Sequence, residues 1–386
     1  MAAGLFATAL VSTPRAAAAG RDSPQPRLVT ITIPSHGLIP PRWLSYPGPP
    51  RAAVLLPAGY DPHRRYPLVL NLGGLGGNYA RAAFGPGLHI DAIVATPEPG
   101  SGWYADWWND GRRGDPAWES YYLDVVVPAL LARYPIRPER RYHAVVGISM
   151  GGLGATYLGG RMPGFFGTVA SLSGFLDPQY GGAITAEGMG LTSFATEHGD
   201  NHTYPVLGPP EGFYAAGHNP TKLVANLSHT RVFASTGTGV PSDGGLASPG
   251  NLPGSALEAP IIRPMNDAFH RAALAHHVAM TYQVHRGGHD AVDFTQEMNA
   301  MFAWGLFRPV PTHPRSWTNS TVSDHGQLWD IRYRFRTAPT AVVRFDRRGD
   351  VLRVSRAGSP VVITTSSGCV LRSKTPATID VGSHDC

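Results

Sequence analysis

The sequence predicts an α/β protein, a mostly parallel sheet covered by helices on both faces, followed by a small all-β module. Apolar β-rich runs alternate with helical segments from Leu28 to about Phe307. Each run breaks into glycine or polar residues at its C-terminal end. Beyond a proline-rich stretch the pattern changes to period-two alternation.

The chain opens with "MAAGLFATALVSTPRAAAAG", an apolar stretch with a small-residue exit that reads as a secretory signal over residues 1–19, cleaved after Ala19. It lacks a basic leading segment, and a disordered Ala-rich tail is the plainer alternative. No other run approaches the ~20 apolar residues of a spanning helix. The strand candidates are "YPLVLNLGG" from Tyr66, "IDAIVATPEPG" from Ile90, "YHAVVGISM" from Tyr142, "FFGTVASLSG" from Phe165, "TRVFASTGTG" from Thr230 and "VAMTYQVHRGG" from Val278. Between them, "WESYYLDVVVPALLARYP", "LGATYLGGRMP", "PMNDAFHRAALAHH" and "TQEMNAMFAWGLF" read as helices. In such sheets ligands gather at the carboxyl ends of the strands. Leu176 to Ala225, rich in Gly, His, Pro and Asn, reads as a long loop of the kind that covers active sites.

These segments make residues 28–307 one α/β unit. "RPVPTHPRS" (308–316) is a linker, and residues 317–386 form the β-rich module. Hydrophobic residues make up 42% and charged residues 15%, which supports a large core rather than disorder. A formal charge of +5 with no Lys-rich cluster gives nucleic acid no footprint; adhesion to an acidic surface fits at least as well. Cys369 and Cys386 are a natural disulfide pair in an exported chain, and neither has histidines at zinc-ligand spacing.

Gly147-Ile148-Ser149-Met150-Gly151 fits G-x-S-x-G between a β-run and a helical segment. That context is the strand-to-helix turn that lifts a nucleophilic serine clear of an α/β-hydrolase sheet. The Met150 N–H, at the helix start, then faces the oxyanion formed when Ser149 attacks an acyl carbon. "NLGGLGGNY", after the run from Tyr66, supplies a second oxyanion loop, with the Leu75 N–H as candidate. As a phosphate cradle the loop lacks the P-loop Lys-Ser/Thr and the dinucleotide glycine spacing.

A serine nucleophile needs a histidine base and a carboxylate to orient it, in the order Ser, acid, His for this fold. Of sixteen histidines, His289 in "VHRGGHDAV" follows a late strand directly. His198, His202 and His218 fall in the covering loop; His270, His276 and His277 ride a helix. For the acid, Asp243 in "FASTGTGVPSDGG" follows the preceding strand. Asp177 in "FLDP" comes one strand too early and suits turn capping; Asp267 belongs to a helix, and Asp290 adjoins the histidine.

"GISMGG" with "SLSGFLDP", "NPTKLVANLSHTRVFASTGTGVPSDGG", "RGGHDAV" followed by Trp304-Gly305, "GWYADWW" and "WESYYLDVVVPAL" together resemble the secreted mycolyltransferase branch of the esterase D-like α/β-hydrolases. The resemblance covers about Leu28 to Phe307. It implies Ser149 as nucleophile, His289 as base, Asp243 as acid (where the mycolyltransferases carry Glu), and Leu75 and Met150 as oxyanion amides. An Asp and an Arg that hold the sugar acceptor in those enzymes are Gly73 and Gly76 here, which removes the handles for trehalose. Gly151 replaces their Ala, and the β-module lies outside the resemblance.

Trp103, Tyr104, Trp107 and Trp108 cluster before the site and, with Trp304, are candidates for lining an acyl or sugar subsite; core packing explains any one of them equally well. These features imply a secreted or envelope-associated serine esterase or acyltransferase. It would act on an acyl ester, with water or a polyol as acceptor, and needs no metal or organic cofactor. The rival is a catalytically idle wall- or glycan-binding protein that works through the β-module.

Overall fold

A computed structural model describes residues 24–44, 46–85, 87–196, 203–240 and 256–382. The expected leader 1–19, and with it any cleavage site, lies outside them. Eight strands form one sheet: β1 (Arg27–Thr32), β2 (Arg51–Leu56), β3 (Leu68–Leu72), β4 (Ile93–Pro97), β5 (His143–Ile148), β6 (Thr168–Leu172), β7 (Arg231–Gly237) and β8 (Met280–His285). Their order is β1-β2-β4-β3-β5-β6-β7-β8, parallel from β4 to β8. β1 and β2 run antiparallel at one edge. The central strands are buried on both faces, which is why β3 to β7 read as continuous apolar runs rather than as alternation.

Short α1 (Tyr79–Ala82) follows the loop after β3. α2 (Trp118–Ser120) passes through a π-turn into α3 (Val127–Arg133). α4 (Met150–Arg161) fills the centre of one face, and every residue of it is buried. Its glycines allow that depth: a side chain on Gly154 would enter the Tyr104 ring, and one on Gly159 would collide with Val169. The stretch read as a covering loop contains α5 (Ala183–Thr196) and short α6 (Phe213–Ala216). Its glycines and polar residues masked a helix that buries Ala186 and Met189. α7 (Arg263–Ala275) follows a π-turn at Glu258–Ile262, and α8 (Ala291–Trp304) closes the unit. Among the described residues no helix is long and apolar enough to cross a membrane.

Beyond this unit come β9 (Ser316–Thr321), β10 (His325–Leu328), β11 (Ile331–Phe335), β12 (Val343–Arg348), β13 (Val351–Val354), β14 (Val361–Thr365), β15 (Val370–Ser373) and β16 (Ala377–Asp380). They form two four-stranded antiparallel sheets, β10-β11-β14-β15 and β16-β13-β12-β9. Alternate residues of β11 and β12 turn inward (Ile331, Tyr333, Phe335, Val343, Phe345), the pattern expected of strands with one wet face. Cys369 is disulfide-bonded; the second cysteine, Cys386, lies outside the described residues.

The module packs on the far end of α4. Arg161, the last residue of α4, donates to the Tyr333 hydroxyl at 3.0 Å and to the His325 carbonyl at 3.1 Å. Its Nε reaches Glu119 at 2.6 Å, and both side chains are buried. Glu119 also accepts from the Tyr157 hydroxyl (2.8 Å) and from Ser323 of the module (2.8 Å), and it lies 3.3 Å from His218 Nε2. Asn319 caps the Gly160 carbonyl at 2.8 Å, and the Arg140 guanidinium lies 4.7 Å from the Trp329 ring centre. A cleft of about 980 Å³ runs along this junction past Asp124, His325 and Arg332, and Ser149 does not line it.

Candidate active site

β5 ends at Ile148, and the chain turns through Ser149, at φ 56° and ψ −119°, straight into α4. A non-glycine residue adopts that conformation only at a cost, and such strain concentrates where the surroundings hold it for function. The glycines two residues either side have steric reasons. A Cβ on Gly147 would collide with the Gly151 carbonyl, and one on Gly151 with the Leu72 carbonyl. The Ser149 N–H donates to Leu172 O at 2.9 Å, tying the turn to β6.

His289 follows β8 on the Gly287-Gly288 turn, and its Nε2 lies 2.8 Å from Ser149 Oγ. Its Nδ1 lies 2.7 Å from Oε2 of Glu258. The acid expected from the sequence, Asp243, lies outside the described residues, and Glu258 takes the place at the imidazole. Nδ1 has one proton to donate, and in the structure it is aimed at Glu258, a residue not among the acids expected from the sequence. Glu258 is fully buried, and its other oxygen accepts from Thr236 Oγ1 (2.5 Å), Gly237 N (2.8 Å) and Ser173 Oγ (2.9 Å). These three donors satisfy that oxygen; a buried carboxylate without them would cost several kcal/mol. Glu258 stands at the head of the π-turn before α7, so the chain order Ser, acid, His is kept.

Met150 opens α4, and the first N–H groups of a helix have no partner within it. The loop after β3 runs alongside: a Cβ on Gly74 would lie 3.6 Å from Ser149 Cβ. Leu75 sits in the turn closed by Gly77 N to Gly74 O at 3.3 Å, with Gly76 at φ 69°. The Tyr104 hydroxyl, fully buried, donates to Gly73 O at 2.8 Å and pins the loop.

The tryptophans separate. Trp103, at φ 58°, packs on Phe175 with ring centres 5.0 Å apart, and the Phe175 N–H donates to Ser149 O at 3.2 Å. Its indole N–H reaches the Met189 carbonyl and Ser193 of α5 at 3.2 and 3.1 Å. Trp107 is core, 1% exposed and edge-on to Trp43. Trp108 packs against Phe213 and Tyr214. Trp304 is at the far end of α8 from His289, about 20 Å along a 14-residue helix. Thr281 accepts its N–H, and Arg231 covers its ring 3.8 Å from the centre.

Of the other candidates, Asp177 accepts from Gln179 N and Asn219 Nδ2, a turn-capping role. Asp290 caps α8, and Asp267 pairs with Arg263 within α7. His218 is buried beside Glu119 rather than lying in a covering loop. His198 and His202 lie outside the described residues.

A family of putative esterases matches residues 45–304, about two thirds of the chain, and the protein belongs to it. The chain is similar to the MPT51/MPB51 antigen of Mycobacterium bovis, 29% identical over 259 residues, 66% of this chain and 77% of that one. The diacylglycerol acyltransferase/mycolyltransferase Ag85C of Mycobacterium leprae is 29% identical over 185 residues, 46% of this chain. That match spans 52% of the Ag85C chain, about half its length. The crystal structure of Mycobacterium tuberculosis MPT51 superposes with a TM-score of 0.52 at 19% identity, over 73% of this chain and 97% of that one. The fold is that of the α/β-hydrolases, and the esterase and mycolyltransferase resemblance read from the sequence is borne out.

Proposed function

We propose that the protein is a serine esterase or acyltransferase that works through an acyl-enzyme on Ser149. The carrying observation is the continuous hydrogen-bonded chain Ser149–His289–Glu258, at 2.8 and 2.7 Å, on a strained strand-to-helix turn. Ser149 Oγ attacks the ester carbonyl carbon while His289 Nε2 takes its proton. Glu258 fixes the imidazole with Nδ1–H toward itself and stabilises the imidazolium that forms. The Leu75 and Met150 N–H groups receive the oxyanion. The imidazolium returns the proton to the leaving alcohol; water or a second alcohol, deprotonated by His289, then releases the acyl group.

Gly73 and Gly76 leave the oxyanion loop without charged side chains for a sugar acceptor, which favours hydrolysis over transfer to trehalose. Residues 1–19 support export, with action at or outside the envelope. An idle scaffold would have no need to hold Ser149 at positive φ against a histidine backed by a buried, fully donated carboxylate.

The test is turnover of p-nitrophenyl butyrate. The wild type should hydrolyse it, and Ser149→Ala should lose at least ~10³-fold while remaining folded. No wild-type turnover, or unchanged turnover in Ser149→Ala, would overturn the reading. Product analysis with trehalose, glycerol and other alcohols beside a long-chain ester donor separates hydrolysis from transfer.

A further inference from the structure

Glu258 is backed by a second buried carboxylate–histidine pair, Glu297 on α8 and His285 at the end of β8. Glu297 is 1% exposed. Its Oε1 lies 2.9 Å from His285 Nε2 and 2.9 Å from Ser173 Oγ. The same Ser173 Oγ lies 2.9 Å from Oε1 of Glu258. Ser173 follows β6 at φ 41°, with its N–H on Ser235 O at 2.8 Å. Glu297 Oε2 is buried with no hydrogen-bond partner.

A hydroxyl has one proton, so Ser173 can donate to one of the two carboxylates only. With both ionised, its lone pairs would face an anion in a dry interior, a costly arrangement. His285 Nδ1 lies 2.8 Å from the Arg286 carbonyl, an acceptor only, so that nitrogen carries a hydrogen. With Glu258 ionised, one proton arrangement satisfies every contact. His285 Nε2–H donates to Glu297 Oε1, the Glu297 carboxyl donates to Ser173 Oγ, and Ser173 Oγ–H donates to Glu258. This places a proton on Glu297 and a positive charge on His285. Burial raises the Glu297 carboxyl above its ordinary range. Burial alone would lower His285, but its hydrogen bonds with Glu297 and the Arg286 carbonyl, together with the nearby Glu297 and Asp293 carboxyls, outweigh that and raise it. The charged groups facing the pair are Glu258 from the π-turn and Asp293 on the first turn of α8, which itself lies beside the capping Asp290.

We propose that Ser173, Glu297 and His285 are positioning residues, a proton-holding chain that fixes the Glu258 carboxylate toward His289 and releases it when the chain loses its proton. The inference rests on the Ser149–His289–Glu258 reading. While Glu297 holds its proton the chain is intact; once rising pH ionises Glu297, it competes for the Ser173 proton. Glu258 then loses a donor and its orientation, and kcat falls with little change in KM.

The experiment is the pH dependence of kcat and KM with p-nitrophenyl butyrate for wild type, Ser173→Gly, Glu297→Gln and Ser149→Ala, each checked for folding by circular dichroism. Glycine suits the positive φ of Ser173, so that variant removes the hydroxyl without adding strain. Ser173→Gly should lower kcat about tenfold at neutral pH with KM unchanged. Its alkaline decline should be lost, because no Ser173 proton remains for Glu297 to compete for. Glu297→Gln, which cannot ionise but cannot reproduce both contacts of Oε1, should lower kcat severalfold with KM unchanged and lose the alkaline decline. Profiles that superpose on the wild type, or losses equal at every pH, would overturn the chain. Inert Ser149→Ala with unmoved profiles would remove this inference alone. Active Ser149→Ala would take down the triad reading and the chain with it.

Discussion

The two ends of α4 hold the same ingredients and put them to opposite uses. At the N-terminal end, buried Glu258 faces His289, and its donors are hydroxyls, a backbone N–H and the imidazole. At the C-terminal end, buried Glu119 faces His218 but also grips the Arg161 guanidinium. Burial on its own would push Glu119 upward; Arg161 first, then His218, more than offset it and hold the carboxyl well below its ordinary range. Asp106 nearby goes the other way, raised to about 6 by burial and by the Glu119 charge. A permanent cation makes the rear cluster a fixed joint between α4 and the β-module. At the front, the histidine can gain and lose a proton, so the charge can move.

Breaking each glutamate separates the two roles. Glu258→Gln should cut kcat by roughly 10³–10⁴-fold with the fold intact, whereas Asp243→Asn should keep activity near wild type. Equal losses in both would return the acid role to Asp243. Glu119→Gln should act on stability instead. It leaves a buried guanidinium uncompensated and should cost about 3–5 kcal/mol in denaturant unfolding, with kcat of the folded enzyme unchanged. A large kcat loss without destabilisation would erase the contrast between the ends. Tyr104→Phe frees Gly73 O and should lower kcat about tenfold by loosening the oxyanion loop.

The smallest effect concerns the outer edge of the joint. His325 lies between Asp124 and Asp324, whose hydrogen bonds raise it to about 9. Its stabilisation is therefore complete below its ordinary value and fades as pH rises through about 9. The site is about one-third exposed, so the gain is small. His325→Gln should lower Tm by about 2 °C at pH 6 and by less at pH 10. An equal shift at both would show packing rather than charge at that position.

The parallel strands were legible because burial on both faces leaves unbroken apolar runs, and Ser149 because its turn needs glycine at fixed spacing. β1 and β2 were not singled out as strands: they lie outside the alternation of strand and helix and join by antiparallel pairing at the edge. The contact of Glu258 with His289 is not legible in the sequence, where the loop immediately after β7 is the expected place for an acid. The residue sits well beyond it, where "EAPIIRPMND" looks like the front of a helix. The glutamate that the mycolyltransferases carry at this role was the available signal. Trp304 was drawn toward the site by its neighbours in sequence, but a 14-residue helix carries it to the opposite ends of β7 and β8, beside Arg231 and Thr281.

By itself the sequence determined the α/β architecture, the β-module, the strand-to-helix turn at Ser149 and the histidine that follows the last strand of the large sheet. These depend on side-chain period and on backbone sterics within a few residues. Tertiary structure decided which carboxylate meets that histidine, what stands behind it, and that the module is fixed to the helix that follows Ser149. Those contacts join residues tens to hundreds of positions apart, and no local pattern encodes them, because only packing brings their polar atoms within hydrogen-bond reach.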